Sequence, residues 1–284
     1  MRLKRVFKLL ISLGIYGVDI FFDRISSALG KPACGSCAVL YYHEVIEAHR
    51  ERFGSQLDMI CREATPISPL ASQKVENGKK YVAITVDDAF ISFFKNGLPE
   101  LERRQIPVLV FVPTAWLGRK VDWAMEEVMA SPNERIATLE ELKEFAAHPL
   151  VRIGSHTANH RKLSELSDAE ALKDLSDSKT FLETEIGCRV DAVSFPYGGF
   201  TNRDLKLASQ LGYKVFFSTS PETTRNLGAG IVGRFRVEPS DWTLETRLKA
   251  AGAYRWQSAA QRLRSRLRRA PAKAGASISV ACSA

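Results

Sequence analysis

From Ala38 onward the chain alternates short, continuously apolar runs with longer stretches whose apolar positions recur at helical spacing. Such an alternation marks parallel strands linked by covering helices, because a strand buried on both faces is apolar throughout whereas a surface helix needs only one apolar stripe. The runs AVLYY (38–42), YVAITV (81–86), PVLVFV (107–112), VRIG (151–154), AVSF (192–195), KVFFS (214–218) and IVGRFRV (231–237) predict seven strands, which suit a barrel better than a small open sheet. Thr138 with Glu141, and Ser167 with Glu170, fit the capping box in which a hydroxyl and a carboxylate satisfy the orphan amides of a first helical turn. Helices are therefore predicted to begin beside Thr138 and Ser167. No internal repeat is visible, and the segment 65–80 has the polar composition of a loop.

The two ends break this pattern. MRLKRVFK carries four cations, and LLISLGIYGVDIFF, which follows, is a fourteen-residue apolar stretch interrupted by Asp19 and two glycines. That stretch falls short of the roughly 20 residues a spanning helix needs. It also lacks the uninterrupted middle and small-residue cleavage site of a signal peptide. Two readings remain: an interfacial helix with cations toward lipid headgroups and apolar residues toward acyl chains, which is preferred, and a helix packed on the domain. The end, RLRSRLRRAPAKAGASISVACSA, begins as a basic helix and decays into small residues, the composition of a solvated and partly disordered tail. The expected organisation is an N-terminal amphipathic segment (1–37), a barrel (38–252) and a basic helix with tail (253–284).

Composition narrows the function. The 284 residues suffice for one large α/β domain, and the formal charge of +8 is concentrated at the ends, leaving the middle near balance. Nucleic acid is not an expected partner, since no base-reading motif accompanies the basic helix and a solvated charged face is the default. The five cysteines are odd in number and scattered, which does not resemble a disulfide framework, and the Cys34-x-x-Cys37 pair has no second pair at zinc-site spacing.

Candidate chemistry lies at the strand ends. VAITVDDAF ends a strand with two adjacent carboxylates, Asp87 and Asp88, whose charges repel unless a cation or hydrogen-bond donors intervene. GSHTANH follows another strand with His156 and His160 four residues apart, so a helical or tight-turn backbone would aim both rings one way. Alone, the histidine pair is equally a pair of surface polar groups. With the acids, one carboxylate joins the imidazoles on a divalent cation and leaves the other free as a base, while open coordination positions serve water and substrate. Zinc is the default ion, because it lowers the pKa of water to about 7 and so makes hydrolysis accessible.

TVDDAF, GSHTANH and SFPYGG occur in the order, and at the strand ends, that resemble the polysaccharide deacetylase family, the NodB-like carbohydrate esterases. The resemblance spans about Val39 to Gly252. It implies an α/β fold, an irregular (β/α) barrel, and hydrolysis of acetyl groups on N-acetylated sugars of a polysaccharide or glycan precursor. Asp87 resembles the family's general base, and Asp88, His156 and His160 its metal ligands. Pro196 and Tyr197 resemble the loop whose tyrosine N–H supports the oxyanion. Members resembling poly-N-acetylglucosamine deacetylases take a histidine near the first strand as general acid, a place held here by His43 in LYYHEV. Asp241 and Trp242 resemble the element that lines the acetyl pocket, although a core tryptophan beside a helix-starting aspartate explains them equally well.

The sequence departs from the family at two places. Ala89 stands where glycine is usual, so a left-handed turn there would be strained. The arginine that commonly precedes the proline of the third motif is absent near Ser194 and Phe195, and Arg234 or Arg236 of the last strand would have to reach in. These departures leave a second reading, a glycan-binding or membrane-associated relative with impaired catalysis. Trp116 and Trp123 could stack on sugars or pack on the barrel rim. The chain is expected at a membrane surface or in the cytoplasm, with export open.

Overall fold

The computed structural model describes residues 2–72, 75–123 and 134–269. Its sheet is built from β1 (Ser36–Tyr42), β2 (Thr65–Pro66), β3 (Lys80–Val86), β4 (Val108–Val112), β5 (Val151–Ser155), β6 (Ala192–Ser194), β7 (Val215–Phe217), β8 (Thr223–Thr224), β9 (Gly230–Val232) and β10 (Phe235–Arg236). The spatial order is β10-β1-β3-β4-β5-β6-β7-β9, with β2 also on β3 and β8 also on β1. Every pairing along that path is parallel, whereas β8 meets β1 antiparallel. The result is the expected α/β architecture, a mixed sheet nearly closed into a barrel.

One predicted strand is two. IVGRFRV was expected to run unbroken, but its first part pairs with β7 and its second with β1, at opposite edges of the sheet. Gly233 and Arg234 carry the chain across the seam. Glycine is required there because a Cβ at 233 would sit 2.5 Å from the Ser220 carbonyl oxygen. Hydropathy cannot report such a switch, since the residues form one short run and nothing local in it marks where its partner strand changes.

Alternation along the strands separates two cores. Leu40, Val82, Ile84, Val110 and Val193 face the helices, while Val39, Ala83, Leu109, Phe111, Phe217 and Val232 form a second cluster on the inner face. The helices are α1 (Arg2–Ala28), α2 (Arg50–Glu63), α3 (Leu98–Glu102), α4 (Leu139–Ala146), α5 (Asp168–Ile186), α6 (Asn202–Gln210), α7 (Thr243–Ala250) and α8 (Trp256–Arg269). Both predicted capping boxes form, at the starts of α4 and α5, and Thr201 with Asp204 forms a third on α6. Each such cap is worth about 1 kcal/mol.

Helix α1 is docked on the domain, with Leu9, Ile15 and Tyr16 packed on the core beside a set of polar anchors. Arg5 binds Asp241 and Glu245, Ser12 accepts from the Trp256 indole, Asp19 accepts two bonds from Arg255, and Asp23 pairs with Lys80. Among the described residues no helix is long and apolar enough to cross a membrane. Cys34 and Cys37 are free thiols, the first exposed and the second buried. The tail expected over 270–284, with Cys282, lies outside the described residues.

Candidate metal centre and active site

The site sits at the carboxyl ends of β1, β3, β5 and β6, around a cleft of about 280 Å³. Beyond β3 the chain turns sharply, with Asp88 at φ 71° and Ala89 at φ 55°. Beyond β5, Thr157 and His160 are left-handed as well, and beyond β6 so is Tyr197. Five of the six non-glycine residues with positive φ among the described residues therefore belong to three short motifs. Backbone in this region costs of order 1–3 kcal/mol per residue and persists only where the surroundings impose it.

Those surroundings are specific. The Ser155 hydroxyl accepts from Thr157 N at 3.1 Å and meets Ser178 of α5 at 2.8 Å. His160 N donates to the Thr157 hydroxyl at 3.2 Å, and the Asp174 carboxylate accepts from Asn159 N at 3.1 Å. On the other turn the Ala89 carbonyl accepts from Ala137 N at 3.0 Å, and the alanine methyl is fully buried. The strain anticipated at Ala89 is thus present and held by packing.

The turns bring Asp88, His156 and His160 together. Asp88 Oδ1 lies 3.6 Å from His156 Nε2 and 3.4 Å from His160 Nε2, and one ligand atom from each residue falls within 4.8 Å of the others. All three side chains are buried. His156 Nδ1 contacts the Ser194 carbonyl oxygen at 2.8 Å, which assigns it the proton and leaves Nε2 its lone pair toward the cluster. Asp88 Oδ1 is buried with no hydrogen-bond partner. An orphaned carboxylate oxygen between two imidazole nitrogens is what a small divalent cation would satisfy, so these residues fit one.

Titration behaviour agrees with that fit. Burial, and then the neighbouring Asp87, push the Asp88 carboxyl well above its usual range. Burial also draws both imidazoles down, His160 to about 2 with the help of His156. Neutral imidazoles offer the free lone pairs, and the buried carboxylate the uncompensated charge, that binding a cation requires.

Asp87 is treated oppositely. Burial would raise its pKa, but Arg234 holds it at about 2. The guanidinium donates to both carboxylate oxygens, at 2.7 and 2.8 Å, in the planar fork that only arginine provides. Arg234 is fully buried at the sheet seam, donates also to Ser194 Oγ, Thr85 Oγ1 and the Ser218 carbonyl, and lies 4.5 Å from the Tyr41 ring centroid. It supplies the guanidinium missing from the third motif. Of the two arginines considered from sequence, it is Arg234 that reaches Asp87, while Arg236 pairs with Glu238 at 2.8 Å and lines the cleft.

His43 reaches the cleft from the end of β1, its ring 5.6 Å from that of Tyr41. Burial draws its pKa down to about 4, against the opposing pull of Asp87. Tyr197 lines the cleft half exposed, 4.9 Å from His160, whereas Pro196 is buried behind it. Trp123 stacks on His160 at 4.0 Å and meets Trp116 edge-on at 4.9 Å, so of the two tryptophans Trp123 is the one at the cleft.

Asp241 and Trp242 are not brought to the cleft. Asp241 caps the Glu238 amide and is held by Arg5 and Lys249, while Trp242 lies under the Arg5 guanidinium at 4.6 Å. The expected acetyl-pocket role gives way to anchoring α1, because Arg5 supplies a countercharge that only the folded N-terminal helix can place there. Sequence reasoning also missed Ser194, which orients His156 through its carbonyl and receives Arg234 through its hydroxyl, and Asp174, which holds the histidine turn from α5. Neither carries a motif signal, since each acts through contacts made across the fold.

A sequence profile described as Polysaccharide deacetylase matches residues 74–216. The chain is 26% identical over 221 residues to a Bacillus subtilis (strain 168) protein named as a polysaccharide deacetylase, YxkH, covering 74% of this chain and 73% of the other. It is 26% identical over 148 residues to poly-β-1,6-N-acetyl-D-glucosamine N-deacetylase of Staphylococcus aureus (strain MSSA476), a match over 49% of this chain and 48% of that protein. The structure of IcaB from Ammonifex degensii superposes with a TM-score of 0.65 at 24% identity, over 78% of this chain and 98% of the other, which bears on the fold.

Proposed function

The chain belongs to the polysaccharide deacetylase family, and from that premise we propose that it is a metal-dependent hydrolase that removes N-acetyl groups from glucosamine units of a polysaccharide or glycan precursor. One observation carries the reading: the unpartnered Asp88 oxygen between His156 and His160, beside an Asp87 that Arg234 keeps ionised.

Asp88, His156 and His160 would hold the cation, with zinc the default among first-row ions for two imidazoles and a carboxylate. A divalent ion bound there supplies a Lewis acid that acidifies water and polarises the acetamide carbonyl. The remaining work falls to the chain. Asp87 accepts the proton of the attacking water, and the Arg234 fork holds its carboxylate in one orientation while it does so. The Tyr197 N–H, presented by the left-handed residue after Pro196, supports the charge that develops on the carbonyl oxygen. His43 would deliver a proton to the departing amine, which is too basic to leave unprotonated, once the negative charge developing on the carbonyl oxygen beside it raises its pKa from about 4. Trp123 walls the cleft beside His160 and offers an aromatic face to a sugar ring.

The departures behind the non-catalytic reading lose their force, since Arg234 replaces the motif arginine and Ala89 adopts the turn. The protein is further proposed to work at a membrane surface, held there by α1. The test of the reaction is acetate release from a panel of N- and O-acetylated glycans, with chelation and metal add-back. Release from β-linked N-acetylglucosamine oligomers that stops on chelation and in Asp87→Asn supports it, and no release under any metal overturns it.

A further inference from the structure

Helix α1 carries a second apolar face that the domain does not cover. A helix on a soluble domain turns its apolar stripe inward and its charges to solvent. Here Arg5, Ser12, Asp19 and Asp23 make polar contacts with the domain and Leu9, Ile15 and Tyr16 pack on its core, yet Leu3, Phe7, Leu10, Phe21, Phe22 and Leu29 are each 60% or more exposed. Of the fifteen large hydrophobic residues exposed among the described residues, ten lie between Leu3 and Leu29. Their spacing keeps them on one side of a helix about 40 Å long, so they form one continuous apolar face rather than scattered patches.

Charge selects the occupant. By helical phase Lys4 and Lys8 fall at one margin of the apolar face and Arg24 at the other, all exposed and with no carboxylate partner among the described residues. A second copy seated on this face would bring those cations against their own equivalents, whereas anionic headgroups flanking an acyl layer would complement them.

The docking also sets an orientation. Arg5 is tied to Asp241, just beyond β10 at the cleft end of the barrel, and Asp23 is tied to Lys80, at the start of β3 and the opposite end. The helix thus runs along the outside of the barrel, antiparallel to the strands. Deepening the reading of α1 as a membrane-surface helix, and resting on it, we propose that its outer face seats on an anionic lipid bilayer with the barrel lying on its side, so that the cleft opens along the membrane surface.

The full chain is tested by co-sedimentation with phosphatidylcholine vesicles with and without about 30% phosphatidylglycerol, a content that gives the surface a negative potential. Binding to the anionic vesicles that falls with salt, and drops about tenfold or more in Phe7→Glu/Leu10→Glu/Phe21→Glu, is the expected result. Lys4→Glu/Lys8→Glu/Arg24→Glu should lose the preference for anionic lipid alone. Equal binding to both vesicles overturns the lipid assignment but leaves the membrane reading. Absence of binding to either overturns both, as does a wild-type dimer in sedimentation velocity that the apolar-face variant dissolves. A bimane at Leu13→Cys should be quenched by nitroxide-labelled lipid, and one at Cys188, beyond α5 on the far side of the barrel, should not. Quenching of both refutes the orientation. Acetate release from a soluble oligomer should stay within about twofold in every variant, since none of these residues touches the cleft, which separates this outcome from failure of the proposed reaction.

Discussion

Replacing Arg234 by methionine is the most informative perturbation of the site. The side chain is fully buried, and its removal leaves Asp87 buried, charged and without its two strongest donors. Asp87 titrates at about 2 in the fold against an ordinary 3.8, which corresponds to roughly 2.5 kcal/mol of stability. Because the folded pKa is the lower one, this contribution is fully present above pH 3.8 and is lost as pH falls through about 2. Without Arg234 the sign reverses, because burial and the Asp88 charge then both favour the protonated acid. Removing one partner of a buried pair costs about 3–5 kcal/mol. For a chain of this size that lowers the melting temperature by about 6–20 °C. Two assays separate this account from a general packing defect. The acid limb of the kcat/KM profile should move to higher pH, as the base now needs a higher pH to ionise. Adding Asp87→Leu to Arg234→Met should recover part of the lost stability without recovering activity, since an apolar replacement of both partners leaves no orphaned charge. A variant with unchanged melting temperature and acid limb, or a double variant less stable than the single one, would refute the reasoning.

Three further outcomes follow from the same geometry. Asp88→Ala should abolish stoichiometric zinc uptake measured by elemental analysis, because two imidazoles without the carboxylate bind far more weakly; retained one-to-one zinc would place the ion elsewhere. His43→Ala should lose about a hundredfold or more on an N-acetylglucosamine oligomer but much less on p-nitrophenyl acetate, whose leaving group needs no proton. Equal losses on both substrates would assign His43 a different task. Trp242→Ala should leave kcat/KM on a soluble oligomer within about threefold, as its ring lies under Arg5 and not at the cleft, while limited proteolysis should detect a loosened α1; a hundredfold loss would restore the acetyl-pocket role.

Several features were legible before any coordinates because they depend on local chemistry. The capping boxes at Thr138 and Ser167 are satisfied within one helical turn, so the residues that make them are three apart. The adjacent acids after β3 and the histidines four apart after β5 announce a need for a countercharge wherever the chain goes. Sheet edges are different in kind. That IVGRFRV crosses a seam depends on which strands arrive on either side, information held by β1 and β7, far away in sequence.

The sequence by itself determined the strand and helix alternation, the two acids, the two imidazoles and the amphipathic N-terminal segment, because hydrophobic period and side-chain identity are properties of short stretches. Only the tertiary structure decided that Arg234 and not Arg236 clamps Asp87, that Asp241 and Trp242 serve α1, and that one apolar face of α1 points outward. Each of those outcomes is a choice between partners distant along the chain. Burial makes the choice: a buried charge must find its counterpart in space, and the distance between them in sequence carries no energetic weight once the barrel has closed.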